Sequence, residues 1–341
     1  MSAARGAPVG DGPRSLILTA RDIAALMDRP AWLEAADLGF RALGEGSAES
    51  AEPMAIAADG GAFHAKGASL RLDRLFVALK LNGNFPANSE RRGLPTIQGA
   101  ILFCDGADGR LLAVMDSIEV TLRRTAAASA LAARLLARRD SRTILVCGCG
   151  RQGAAQLEAL ADVLPFEQCL AWDADDDRAR RFAAFVNGAG EMRAEPVGDL
   201  AAAARDSDCI VTCTTATAPF LFADMVRPGT FVAAVGADSH TKSEVAPELM
   251  REAKVVADLV SQCAVMGDLH HALRAGMMTT RDVHAELHEV LLGARPGRTS
   301  DEEIVLFDST GTAVQDVAAC VRIHQRAAGA SGHLSLALGA S

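Results

Sequence analysis

The most restrictive stretch of the 341-residue chain is Ile144-Leu-Val-Cys147-Gly148-Cys149-Gly150-Arg151-Gln152-Gly153, which runs directly into the Ala/Leu-rich segment 154–164. A short apolar run, glycines spaced Gly-x-Gly-x-x-Gly and a helix-forming segment read as a strand, a tight turn and a helix in immediate succession. Gly148 permits the turn, Gly150 lets the backbone approach a bulky anion without a Cβ in the way, and Gly153 lets helix and strand pack closely. Asp173 closes the next apolar run, Gln168-Cys-Leu-Ala-Trp172, twenty residues after Gly153. A carboxylate at that place can accept both hydroxyls of an adenosine ribose, and its charge would repel a 2′-phosphate. The unit is therefore expected to bind a dinucleotide, with NAD favoured and NADP left open if Arg151 or Arg178 folds over the ribose. The alternative is a Gly-rich turn that holds no ligand.

A chain of this length exceeds what one core usually serves, so two domains are expected. From residue 143 onward, short apolar runs (144–147, 168–172, 209–213, 230–235 and 254–258) alternate with helical segments, the pattern of a doubly wound parallel sheet. Before it, residues 55–115 carry short apolar runs broken by Gly, Asp and Pro, preceded by a helical pattern over 20–44 and a loop over 46–52. The segment 121–139 lacks Gly and Pro and predicts a long connecting helix. A last Ala-rich helix over 312–328 is expected to return to the first domain. The predicted organisation is a disordered leader over 1–14, an α+β domain formed by 15–122 plus 312–341, and a Rossmann domain over 123–311.

Several function classes are excluded or disfavoured. A formal charge of −9 gives no basic field for phosphate backbones, so nucleic acid is not an expected partner. No apolar run reaches membrane-spanning length, and the N-terminus leads into Gly/Pro-rich sequence rather than a secretory core. Eight cysteines without a Cys-x-x-Cys pair read as reduced thiols of a cytoplasmic protein. His284 and His288 are spaced one helical turn apart, but Ala285 stands where a zinc hydrolase motif needs Glu, and His270 and His271 are adjacent; no metal is expected.

Three charged residues stand out. Lys80 ends the run Leu75-Phe-Val-Ala-Leu, where it is either an edge-strand residue reaching solvent or a cation facing a pocket that holds an anion. Arg124 begins the connecting helix, where a planar guanidinium can grip a carboxylate, although first-turn arginines are often only solvated; Arg123 points elsewhere. Asp238 follows Val232-Ala-Ala-Val-Gly-Ala at what would be the carboxyl end of a parallel strand, the ligand side of such a sheet, and is read as functional over a mere helix cap.

These pieces together resemble the ornithine cyclodeaminase and mu-crystallin family. They are Lys80-Leu-Asn82 with Pro86 and Asn88, Gly93-Leu-Pro-Thr96, Leu112-Ala-Val-Met-Asp116, Thr121 with Arg124-Thr-Ala-Ala, the glycine turn, Gly236-Ala-Asp238 with Lys242, and Phe307-Asp-Ser-Thr-Gly311 with Gln315-Asp316. The resemblance implies a homodimer paired through the first domain. It assigns the substrate carboxylate to Lys80 and Arg124 and proton transfer at nitrogen to Lys80 or Asp238. It extends the cofactor-binding set from Gly148, Gly150, Arg151, Gln152, Gly153 and Asp173 to Thr96, Thr214, Val235, Ser309 and Gly311.

Ornithine cyclodeaminases carry an acidic residue in the strand near position 64 and an arginine somewhat before it; here His64 and Met54 stand there. With Lys66 on the same strand face, His64 would make a neutral-to-basic wall suited to a second carboxylate or a small side chain. The expected activity is therefore that of an NAD(P)-dependent amino-acid dehydrogenase or imino-acid reductase. The alternatives are an ornithine or lysine cyclodeaminase that uses NAD catalytically and releases ammonia, and a non-catalytic crystallin-like binder of NAD(P)H.

Overall fold

The computed structural model describes residues 14–190 and 192–338 and contains two eight-stranded sheets and a small two-stranded one. The expected leader falls almost wholly outside the described residues. The first half comprises β1 (Ser15–Leu18), α1 (Ala20–Leu26), α2 (Arg29–Gly44), β2 (Ala48–Ser50), β3 (Met54–Ala58), β4 (Gly61–Arg71), β5 (Leu75–Asn84), α3 (Asn88–Arg92), β6 (Ile97–Asp105), β7 (Leu111–Asp116) and α4 (Ser117–Leu136). The second comprises β8 (Thr143–Cys147), α5 (Arg151–Ala161), β9 (Gln168–Trp172), α6 (Asp176–Ala189), β10 (Arg193–Pro196), α7 (Leu200–Asp206), β11 (Cys209–Thr212), β12 (Thr217–Leu221), β13 (Phe231–Ala234), β14 (Ser243–Val245), α8 (Pro247–Glu252), β15 (Lys254–Ala257), α9 (Val260–Cys263), α10 (Asp268–Arg274), β16 (Ala285–Glu286), α11 (Leu287–Leu291) and β17 (Val305–Asp308). The chain ends in α12 (Ala313–Ala328) and β18 (Leu334–Leu336).

In the first sheet the strands run β18-β1-β7-β6-β5-β4-β2, with β3 also paired to β4. Strand β5 shows why it has two different faces: Phe76, Ala78 and Lys80 point inward while Leu79 and Leu81 are nearly half exposed. The inner face is covered by α12, which lies on β4 and β5 and packs beside α2 and α4. The return of the C-terminal helix onto the first sheet is thus as expected.

The second sheet, β10-β9-β8-β11-β13-β17-β15-β16, is parallel throughout, and its central strands are buried on both faces. Strands β8, β11, β13 and β17 are mostly apolar runs for that reason. The chain leaves β8 toward β9 on one side and re-enters at β11 on the other, so the crevice for a ligand opens at the carboxyl ends of β8 and β11.

Local differences from expectation have plain causes. The helical pattern over 20–44 is two helices, because Asp28 caps the second by accepting the Ala31 amide (3.1 Å) and Pro30 fits only its first turn. The expected loop over 46–52 contains β2, which pairs antiparallel with β4. The connecting helix starts at Ser117 instead of residue 121, since Asp116 accepts the Glu119 amide at 2.8 Å. His284 and His288 do not share a helix face: α11 begins only at Leu287, and His284 Nε2 lies 2.8 Å from the Pro296 carbonyl.

Candidate active site

The turn after β8 has the geometry its glycines require. Gly148 adopts φ +106°, where an added Cβ would also lie 2.8 Å from the Cys213 carbonyl oxygen, and a Cβ on Gly153 would come within 2.1 Å of the Gly148 oxygen. Gly150 caps α5 without any side-chain bond to the first amides, and the space where its Cβ would stand is open. Asp173 anchors the turn from the next strand, its Oδ2 accepting the Cys149 amide at 2.8 Å and its Oδ1 the Asp175 amide at 3.0 Å. A helix N-terminus without a side-chain cap, behind a turn whose Gly148 and Gly150 bear no side chain and with a carboxylate alongside, fits a dinucleotide pyrophosphate and ribose. Gln152 ties this helix to α4 through the Leu122 carbonyl (3.4 Å), while Arg151 is largely exposed and reaches Glu119 at 3.5 Å.

Below that edge four elements bring together buried charges. Asp316 on α12 receives Lys80 Nζ of β5 at 2.7 Å on one oxygen and Arg124 Nε of α4 at 3.1 Å on the other; all three side chains are at most 6% exposed. Arg124 also donates to Gln315 Oε1 (3.0 Å), and Lys80 to Thr121 Oγ1 (3.4 Å). Lys66 stands directly across from Lys80 in the β4–β5 register, and its ammonium donates to the carbonyls of Thr310 (3.2 Å) and Gly311 (2.9 Å). Two cross-strand cations repel, and Asp316 offsets that repulsion for Lys80 and Arg124.

Lys80 is thus buried and paired and not an edge-strand surface lysine, and Arg124 is buried while Arg123 turns away to Glu119 (3.1 Å) and Glu158 (2.7 Å). Burial, with Arg124 and Lys66 nearby, lowers the Lys80 ammonium to about 8 despite the opposing pull of Asp316. Lys66 is lowered by burial and by Arg124. Burial works against ionisation of Asp316, but Lys80 and Arg124 hold it below the usual carboxylate range.

The strap Ser309-Thr310-Gly311, which joins β17 to α12, is held by Asp258 at the end of β15. That carboxylate accepts from Ser309 Oγ (3.2 Å), Thr310 Oγ1 (3.2 Å) and the Gly311 amide (2.7 Å). Gly311 has φ +76°, and a Cβ there would stand 2.4 Å from Arg124 Nη1, so the strap touches the cationic cluster directly.

Asp238 lies in the loop after β13, 2.6 Å from Lys242 and about half exposed. Burial on the pocket side opposes its ionisation, yet Lys242 and, beyond it, Lys66 keep its carboxyl below the ordinary range. It caps no helix; α8 begins at Pro247 behind Ala246.

Other expected site residues are placed differently. His64 is exposed on β4 opposite Asn82, so it does not share the buried wall that Lys66 occupies. Thr96 sits at the far end of the β5–β6 hairpin, its carbonyl accepting the Phe85 amide at 2.8 Å. Thr214 and Val235 follow β11 and β13 at the carboxyl edge of the parallel sheet. Residues 121–124 point to α4, but the sequence reading assigns no role to Asp316 and Asp258, the two carboxylates that organise the cluster and the strap.

A doubly wound sheet with a glycine turn at its switch point, facing a second sheet that carries a buried cationic cluster, defines the class of two-domain dinucleotide-dependent oxidoreductases. The sequence and structural comparisons agree. The chain belongs to the ornithine cyclodeaminase/mu-crystallin family, whose model matches residues 14–331. It is 34% identical over 314 residues to the alanine dehydrogenase of Archaeoglobus fulgidus, covering 92% of this chain and 95% of that protein. Among solved structures it superposes on an archaeal alanine dehydrogenase dimer with bound NAD at a TM-score of 0.90 and 33% identity, covering 95% and 99% of the two chains. It also superposes on the Thermococcus litoralis Δ1-pyrroline-2-carboxylate reductase in complex with NADH and L-proline at 0.88 and 28% identity, covering 92% and 98%.

Proposed function

We propose that this protein interconverts a small α-amino acid and its α-imino acid by hydride exchange at the α-carbon, using NAD. The observation that carries this reading is the pair Lys80 and Arg124, two buried cations sharing the buried carboxylate of Asp316, with Lys66 across the strand register on the Thr310 and Gly311 carbonyls at the carboxyl edge of the parallel sheet. The excess positive charge suits a substrate carboxylate. Bound NAD would accept or supply the hydride. Lys80 and Arg124 would hold the carboxylate, Arg124 through its planar fork and Lys80 as a point charge, and so fix the orientation of the α-carbon. Asp238, ionised and reachable from solvent, would exchange the proton on nitrogen or on water; Lys80, lowered to about 8, is the other group able to do so near neutrality.

The division into a substrate-binding domain (15–122 plus 312–341) and a cofactor domain (123–311) belongs to this reading and is supported by the two separate sheets. A homodimer is supported by the outer face of the first sheet, where Met54, Ile56, Phe63, Leu79, Leu81 and Leu102 are all at least 37% exposed and adjoin one another in the strand register. Leu81→Glu in that face is expected to give monomers by light scattering, and an unchanged dimer would remove this assignment. The eight unpaired cysteines accord with a cytoplasmic location, and no helix among the described residues is long and apolar enough to cross a membrane.

The direct test is oxidation of NADH and NADPH by the purified protein with pyruvate, glyoxylate, oxaloacetate or cyclic imines, in the presence of ammonia or methylamine. Ammonia release from ornithine or lysine without net NADH change would establish a cyclodeaminase instead. Asp173→Ser should weaken NAD more than NADP; equal weakening would show that Asp173 does not read the ribose.

A further inference from the structure

Outside the cationic cluster, the fold buries a second charged group that the mechanism above does not use. Glu244, on the short strand β14, is fully buried. Its two oxygens are divided between two loops: Oε1 accepts the Thr214 amide at 2.5 Å and Oε2 accepts the Gly236 amide at 2.8 Å. These amides lie just beyond the carboxyl ends of β11 and β13, which are neighbours in the sheet (Thr212 opposite Ala234). A Cβ on Gly236 would stand 2.4 Å from Glu244 Oε1, so the carboxylate occupies the space that the missing side chain leaves. The backbone of β14 is itself fixed from behind, since Asp268 Oδ1 accepts the amides of Glu244 (2.8 Å) and Val245 (3.0 Å).

We propose that Glu244 is a positioning residue: it brackets the two strand exits that carry Thr214 and Val235 toward the dinucleotide and Asp238 toward the substrate, and so sets the cofactor site and the proton-transfer group in register. This rests on the NAD-dependent reading above. A carboxyl is required because both partners are N–H donors: it has an oxygen able to accept from each, whereas an amide has only one. An amide in its place faces one of them with its own N–H.

The experiment combines hydrogen–deuterium exchange on the apo protein with NAD+ titration and steady-state kinetics, for wild type and Glu244→Gln. The expected result is at least about tenfold faster exchange at the Thr214 or Gly236 amide, an NAD+ Kd raised by about 10- to 100-fold as for other outer partners of a binding site, and a lower kcat. The KM for the amino or imino acid, set by Lys80 and Arg124, should stay within about threefold of wild type. Wild-type exchange and NAD+ affinity in a folded Glu244→Gln protein would overturn the proposal, and so would faster exchange with unchanged NAD+ affinity and kcat.

Should Glu244→Gln not fold, Gly236→Ala and the double variant Gly236→Ala/Glu244→Ala decide the matter. The added methyl should be harmful when the carboxylate is present and nearly harmless when it is absent; additive effects would contradict the bracket. A wild-type protein that binds no dinucleotide at all would instead refute the functional reading, and the positioning role would fall with it, while the exchange result would still report the bracket.

Discussion

Two buried charged clusters in this molecule are built on opposite plans. Around Asp316, side chains from β4, β5, α4 and α12 meet charge to charge, with cations in excess. Under the ligand edge of the parallel sheet, Glu244, Asp268, Asp308 and Asp258 are all fully buried carboxylates, and their partners are mainly backbone amides and hydroxyls. The first cluster leaves donors directed at whatever enters the pocket, and the second spends its acceptors on fixing loops. Burial and mutual repulsion push Glu244 up to about 7 and Asp308 well above the ordinary range, and burial raises Asp268 to about 6, so desolvation opposes ionisation at these three carboxyls. The cationic cluster meets it by ion pairing, which is why its single anion matters most.

The largest expected effect follows from removing that anion. Asp316→Ala strands Lys80 and Arg124 without a counter-ion and should cost about 3–5 kcal/mol of stability in urea unfolding. A loss under about 1 kcal/mol would mean that water reaches the cluster and that the two plans do not differ.

Next comes Lys80→Met, which leaves Arg124 on Asp316. It should lower kcat/KM for the amino acid by roughly 10²- to 10⁴-fold while the NAD+ Kd stays near wild type. A matching loss of NAD+ affinity would place Lys80 in the cofactor site and erase the separation of roles.

The pH dependence separates the clusters by sign. Lys80, at about 8 in the folded protein and near 10.5 unfolded, should lose its grip on a carboxylate as pH rises through 8, so the substrate KM climbs above that point. Its burial penalty on stability is present below 8 and is relieved between 8 and 10.5. Glu244 behaves oppositely: its folded value is raised, so its contribution is present below about 4.5 and is lost as pH rises through 7. A KM that is flat from pH 7 to 9.5 would argue against a charged Lys80 anchor.

The smallest effect is expected for Asp268→Asn. The amide oxygen can keep the Glu244 and Val245 amides, and its nitrogen imitates the protonated acid, so stability near pH 5 should change by less than about 1 kcal/mol. Above pH 6 the variant should gain relative to wild type, because it carries no charge to bury. A loss of several kcal/mol at pH 5 would show that Asp268 is needed as an ion.

The glycine turn, the parallel strands and the positions of Lys80, Arg124 and Asp238 were legible in the sequence because each is a local event: a charged residue ending an apolar run, or glycines between a strand and a helix. Asp316 was not, since its partners lie 192 and 236 positions away in sequence (316 − 124 and 316 − 80) and meet it only when α12 returns to the first sheet. The adjacent polar pair Gln315-Asp316 inside an otherwise Ala/Val-rich helix is the signal that could have marked it, since two polar side chains on a buried helix face need partners. Glu244 and Asp258 follow the same logic with less to see, Asp258 being one acid in an apolar stretch and Glu244 one of several charged residues between 242 and 248. His64 shows the converse: alternation places it on the Lys66 face, but it is exposed there opposite Asn82. The break between α1 and α2 was readable from Asp28-Arg-Pro30, a cap followed by a first-turn proline.

The measurement that bears most directly on the central claim is NADH oxidation with ammonia, comparing each α-oxo acid of the panel with its uncharged amide in wild type and in Lys80→Met. If the Asp316-organised cations hold a substrate carboxylate, the wild type should prefer the best acid over its amide by at least about a hundredfold in kcat/KM, on the order of the energy of a charge-assisted hydrogen-bond pair, and Lys80→Met should lose most of that preference. Equal turnover of acid and amide by the wild type, or a preference that survives in Lys80→Met, would contradict the assignment of this cluster as the carboxylate anchor.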